Sequence, residues 1–257
     1  VRVVRRFLSS TIQQDVLFYH DLPRVDFENE VDWQETQVLL KAHFPVDVFY
    51  QEATYDIQFG NVRRTTHANT SWDAAHFEVC AHKWADVSED GFGVSLLNDC
   101  KYGHAVNDDS MSLTLIKCAT FPNEDADREH HRFTYALMPH LGAWRQAGTV
   151  QQGYDLNLPL VAVPGALDWQ GSLATCDAPN VLIEAVKRSE DGRGTILRVY
   201  ECFGRRDKVT LRLGGAPSAV YETDLMEHKS ADCATLDDRT VTFTIHPYEI
   251  KTFYLAD

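Results

Sequence analysis

The feature that most constrains this chain is a two-residue rhythm: apolar and polar side chains alternate in short runs, and turn-forming residues cut the runs apart. From Arg24 to Trp33, Val25, Phe27, Val31 and Trp33 alternate with Asp26, Glu28, Glu30 and Asp32. Successive side chains of a strand point to opposite faces, so this spacing predicts one apolar and one wet face for a strand and no such separation for a helix. Leu113 and Leu115 stand against Ser112 and Thr114 in the same way, and Val241, Phe243 and Ile245 alternate with threonines. Asn107-Asp108-Asp109, Glu190-Asp191-Gly192, Gly214 to Pro217 and Asp237-Asp238 supply the tight reversals between runs. Many short strands joined by turns predict an all-β chain built of antiparallel sandwiches.

The rhythm is interrupted near Gly165 to Asn180, where Pro164, Gly165, Gly171 and Pro179 fall close together. A boundary is placed there, giving a large domain from Val1 to Thr175 and a small one from Cys176 to Asp257. The small domain is expected to hold six strands: Leu182–Val186, Ile196–Glu201, Val209–Leu213, Ala219–Asp224, Val241–Ile245 and Ile250–Leu255. That is enough for a small β-sandwich.

Composition narrows the partners. A formal net charge of −14 argues against nucleic acid, whose binding draws on Lys and Arg to release counterions from phosphates, and disfavours acidic membrane surfaces. No run of about eighteen apolar residues is present, so a soluble protein is expected. Six cysteines, Cys80, Cys100, Cys118, Cys176, Cys202 and Cys233, are scattered without a CxxC pair or zinc-finger spacing, which fits reduced thiols and a cytoplasmic location. The chain opens at Val1 directly in a strand-like run to Phe7, with no initiator Met or signal peptide, and reads as a piece of a longer polypeptide.

Several blocks carry a family resemblance. They are Asp21-Leu22-Pro23-Arg24-Val25-Asp26-Phe27 through Val31-Asp32-Trp33-Gln34-Glu35, Leu40 to Asp47, Gly93-Val94-Ser95-Leu96-Leu97-Asn98-Asp99-Cys100-Lys101-Tyr102-Gly103, and Arg132 to Leu137 with Pro139-His140. Beyond the boundary come Glu184 to Lys187, Arg198 to Glu201 and Glu222 to Leu225. In this order they resemble the C-terminal, β-rich region of cytosolic-type α-mannosidases of glycoside hydrolase family 38. The resemblance implies a large, galactose-mutarotase-like supersandwich followed by a small β-sandwich. It also implies that the parent is a retaining, zinc-dependent enzyme that hydrolyses terminal α-mannose, an aspartate attacking the anomeric carbon while a second carboxylic acid protonates the leaving oxygen. Nucleophile, acid and zinc belong to the family's N-terminal catalytic domain, so no catalytic residue, metal ligand or cofactor is assigned to this chain.

The implied partners are that catalytic domain on the same polypeptide, a mannose-containing oligosaccharide and, through an apolar surface left by the cut, a second copy of the chain. At some positions the chain departs from the family pattern: Lys117, Cys118 and Ala119 replace an arginine, serine and proline, Glu129 a glycine, and His104 a tyrosine.

The residues of the Asn98–His104 block follow an apolar strand end, where loops present function. The resemblance places such a loop at the mouth of the active site, making Asn98, Asp99, Lys101 and Tyr102 the candidate substrate-binding residues. The plainer reading is that Asn98 and Asp99 hydrogen-bond their own turn. Other polar groups carry less. Asp47 with Glu52 is a possible carboxylate pair, but strand carboxylates mostly face water. His76 with His82, or with Cys80, lacks the spacing of a known metal site, and His130 and His131 point to opposite faces of a strand. Trp33, Trp72, Trp84, Trp144 and Trp169 could stack on sugar rings, although Trp33 beside Val31 reads as core. Two other classes compete: a free-standing carbohydrate-binding module, which glycan binding would reveal, and an aldose epimerase by fold analogy, which mutarotation would reveal.

Overall fold

The computed structural model describes residues 1–166, 170–230 and 235–256, so Trp169 and Cys233 lie outside the described residues. It forms two compact units, Val1–Val161 and Ala162–Asp257. The first contains β1 (Arg2–Phe7), β2 (Ser10–Phe18), β3 (Val25–Asp32), β4 (Leu40–Pro45), β5 (Glu52–Ile57), β6 (Gly60–Thr65), β7 (Val79–Cys80), β8 (Trp84–Ser88), β9 (Phe92–Asn98), β10 (Gly103–Asn107), β11 (Ser110–Ile116) and β12 (His130–Leu141). Three short helices accompany them: α1 (Ser71–Ala75), α2 (Trp144–Ala147) and α3 (Thr149–Asn157).

An eight-stranded sheet in the order β1-β2-β3-β12-β9-β8-β5-β6 faces a four-stranded sheet in the order β4-β11-β10-β7. Their pairings are antiparallel, as the alternating sequence runs predict. The core lies between them, where Val31, Trp33, Tyr55, Leu96 and Phe133 of the large sheet meet Ala42, Met111 and Leu113 of the small one. The Asn107–Asp109 reversal closes the β10–β11 hairpin with Asn107 opposite Ser110. Cys118 is buried at a left-handed turn (φ 53°) and accepts a hydrogen bond from the Trp33 indole.

One expectation fails on β3. Asp26 is not on a wet face: it is buried, paired with buried Arg24 at 2.9 Å, and Arg24 also donates to the backbone and side-chain oxygens of Gln152 on α3. The cause is α2 and α3, which cover the outer face of the large sheet. Trp84 packs there against Trp144 with ring centroids 5.0 Å apart and planes tilted by 36°, and Ser95 meets Thr149 at 2.8 Å. Gly153 permits the approach, since a Cβ on it would sit 3.1 Å from the Trp84 ring. Trp33, Trp84 and Trp144 are all core; Trp72 is exposed.

The second unit contains β13 (Ala174–Cys176), β14 (Val181–Arg188), β15 (Gly194–Glu201), β16 (Asp207–Leu213), β17 (Ala219–Thr223), β18 (Thr235–Asp237), β19 (Thr240–Ile245) and β20 (Ile250–Ala256). Two four-stranded sheets, β13-β16-β19-β18 and β14-β15-β20-β17, enclose Leu197, Val199, Val209, Leu211, Val241 and Phe253. All six strands expected after Asn180 are present. Two more, β13 and β18, join them, and because β13 pairs with β16 the division between the units falls N-terminal of Thr175. The fold class is therefore all-β, a large sandwich followed by a small one.

Candidate functional site

The candidate loop runs from Asn98 at the end of β9 to Gly103 at the start of β10. Asn98 does not reach the surface. It is fully buried, its side-chain amide donates to the carbonyl of His82 at 2.7 Å, and its oxygen accepts from the Lys101 backbone N–H at 2.7 Å. That closes the turn from inside. Asp99 takes the Thr134 backbone N–H at 2.8 Å on one carboxylate oxygen, while its other oxygen is buried with no partner. α3 clamps the loop from behind, the Asn157 amide donating to the Asn98 carbonyl at 2.9 Å.

The Lys101 ammonium lies 4.6 Å over the Phe133 ring. The Tyr102 ring is half exposed, 5.1 Å from the imidazole of His82. The four predicted residues thus share one loop in different roles: Asn98 and Asp99 hold its backbone, Lys101 is half-buried over Phe133, and Tyr102 is exposed. Sequence reasoning missed the partners His82, Thr134 and Asn157, which lie far away along the chain and carry no local signal.

A second polar cluster lies beneath α3. The buried Asp86 carboxylate accepts from Ser88 at 2.6 Å, from Ser95 at 2.7 Å and from His140 Nε2 at 2.8 Å, while His140 Nδ1 faces the Gly142 carbonyl at 3.1 Å. Both imidazole nitrogens are thus committed to acceptors. The serines bond the carboxylate, not the imidazole, so no hydroxyl is poised for activation as a nucleophile. The cluster ties β8, β9 and β12 together.

Other candidates stay apart. Glu52 pairs with Arg63 at 3.8 Å, and Asp47 is an exposed residue. His131 Nε2 bonds the Asp127 carbonyl at 2.8 Å. Among the described residues no three His, Cys, Asp or Glu side chains converge where a cation could be held. Among the described residues Cys80, Cys100, Cys118 and Cys176 are free thiols, and no described helix is long and apolar enough to cross a membrane.

Residues 1–125 match the glycosyl hydrolases family 38 C-terminal domain, and residues 180–253 match the glycosyl hydrolases family 38 C-terminal beta sandwich domain. The chain belongs to glycoside hydrolase family 38. It is 41% identical over 257 residues to human alpha-mannosidase 2C1, covering 96% of this chain and 24% of that protein. With alpha-mannosidase G of Dictyostelium discoideum the identity is 34%, over 95% of this chain and 23% of the relative. The family 38 chain therefore spans about a quarter of the length of these curated relatives. A crystal structure of an alpha-mannosidase from Enterococcus faecalis V583 superimposes with a TM-score of 0.80 at 19% identity, covering 96% of this chain and 29% of that one, a likeness of fold.

Proposed function

We propose that this chain is the non-catalytic C-terminal part of a retaining α-mannosidase, which braces the catalytic domain and completes its substrate pocket. One observation carries the reading: two C-terminal family 38 descriptions match successive parts of a chain that is 41% identical to an alpha-mannosidase over 96% of its own length. In this reading hydrolysis of terminal α-mannose is performed elsewhere on the polypeptide, by a nucleophilic carboxylate and a carboxylic acid across the glycosidic bond, with zinc binding the sugar there. The role left to these residues is positioning, because a reacting sugar held in one orientation reacts far faster than a free one.

Within that role the Asn98–Tyr102 loop is the substrate-side element. Asn98 and Asp99 fix its backbone, and Lys101 and Tyr102 offer an ammonium, a hydroxyl and an aromatic face to sugar hydroxyls and ring. A cytoplasmic location for the parent is consistent with the free thiols of Cys80, Cys100, Cys118 and Cys176.

The test uses an aryl α-mannoside and two proteins, this chain alone and the full-length parent. Turnover is expected only from the parent; hydrolysis by the isolated chain overturns the reading. In the parent, Tyr102→Ala is expected to raise KM or lower kcat about tenfold, as lost transition-state binding of about 1.4 kcal/mol would do, with no change in thermal stability. Unchanged kinetics would remove the loop from the substrate side.

A further inference from the structure

His104 on β10 leads to a cavity of about 280 Å³ between the β5–β6 edge of the large sheet and the β10–β7 edge of the small one. Tyr55, Arg64, Asp73, His76, Val79 and His104 line it. Two buried nitrogens on these side chains have no hydrogen-bond partner: Arg64 Nη1 and His104 Nδ1. Both flank the Tyr55 ring, Arg64 with its guanidinium carbon 4.8 Å from the centroid and His104 edge-on at 6.4 Å.

The protonation of His104 follows from its neighbours. The Asn98 amide nitrogen faces His104 Nε2 at 3.4 Å, and its identity as the nitrogen is fixed because the same atom donates to the His82 carbonyl while the Asn98 oxygen accepts from Lys101. Nε2 is therefore an acceptor. Complete burial, aided by the Arg64 charge, holds the imidazole neutral by lowering its pKa to about 3. A neutral imidazole accepting at Nε2 carries its proton on Nδ1, so the orphan atom is a donor. The cavity thus has a cationic donor and a neutral donor, and no acceptor answers either.

We propose that this cavity binds a small oxyanion, a carboxylate or phosphate group held between the Arg64 guanidinium and His104 Nδ1–H. Charge favours an anion over water. Arg64 forms no ion pair among the described residues, and an unpaired, partly buried charge is unfavourable even when its N–H groups are wetted. The nearby carboxylates are already engaged. Asp73 accepts from the Thr70 backbone at 3.1 Å and hydroxyl at 2.7 Å, and Glu78 binds Lys41 at 2.6 Å and the Thr114 hydroxyl. The space exceeds the roughly 30 Å³ share of one water several times over, enough for a carboxylate or phosphate group.

The 257-residue chain is titrated with sodium acetate and with sodium phosphate against sodium chloride at matched ionic strength, following the histidine side-chain ¹⁵N resonances. A saturable shift at His104 with either probe, absent with chloride, is expected; acetate alone would mark a carboxylate site, phosphate alone a phosphoryl site, and both a general oxyanion site. Arg64→Gln and, independently, His104→Gln are expected to weaken binding about tenfold or more, the loss of roughly one charge-assisted hydrogen bond. No saturation with either probe in the unaltered chain overturns the proposal, as does saturation that persists within twofold in a folded Arg64→Gln variant. Should both variants fail to fold, the chloride comparison on the unaltered chain decides alone.

Discussion

His104 shows how one buried side chain ties stability to pH. Its pKa lies near 3 in the folded chain against an ordinary 6.5, because burial and then the Arg64 charge oppose protonation, with Glu78 opposing them weakly. Between those values the unfolded chain binds a proton that the folded chain refuses, so stability rises with pH through the window and is lost as pH falls from about 6.5 toward 3. Glu78 adds in the same direction at its lower end. Burial would raise its carboxyl, but Lys41 and Thr114 hold it below the ordinary value, so its contribution is also lost on acidification. Urea midpoints at pH 7 and pH 5 should therefore fall on acidification, and by less in His104→Gln; an equal fall in both proteins contradicts the assignment. Nothing near position 104 in the sequence announces this burial. Arg64 and Tyr55 lie far up the chain on β6 and β5, and only sheet packing brings them to the imidazole.

At the scale of the element, turn chemistry was the most legible part of the sequence and the helices the least. Asn107-Asp108-Asp109 and Glu190-Asp191-Gly192 form turns at the expected places; in the second the side chains bond the turn itself, the Ser189 hydroxyl donating to Asp191 and Asp191 taking the Arg193 N–H at 3.0 Å. α3 went unseen since Thr149–Asn157 opens on two β-branched residues and carries Gly153 in its middle, a weak helix by propensity that exists because it packs on Trp84. Glu201, at the end of β15, is a similar case. Its fully buried carboxylate accepts from the Asn180 amide and from the backbone N–H groups of Phe203, Gly204, Arg205 and Tyr248, at 2.8 to 3.2 Å. An amide in its place has one acceptor oxygen and a competing NH₂ group, so Glu201→Gln should destabilise the chain by about 3 kcal/mol. Chemical denaturation checks this, and a change under about 0.5 kcal/mol, the range of an ordinary surface substitution, would show that the network contributes nothing.

The whole molecule carries a strongly acidic charge over two all-β units and leaves several large apolar side chains in water, among them Leu158, Leu160 and Val161 at the end of the first unit. Exposed apolar surface of this kind is covered in a longer polypeptide or by another copy. Light scattering of the isolated chain is expected to give a mass above that of one chain, rising with concentration and with salt as the mutual repulsion of −14 charges is screened. A constant single-chain mass would count against it. By itself the sequence determined the all-β class, the six main strands of the small unit, the turns named above and the family, since these follow from period-two alternation, local backbone chemistry and ordered motifs. Which polar residues end up buried was settled only in three dimensions. Asp26 lies under a helix, Asn98 faces inward, and Arg64 and His104 meet across two sheet edges, because burial depends on what a distant segment lays over a side chain.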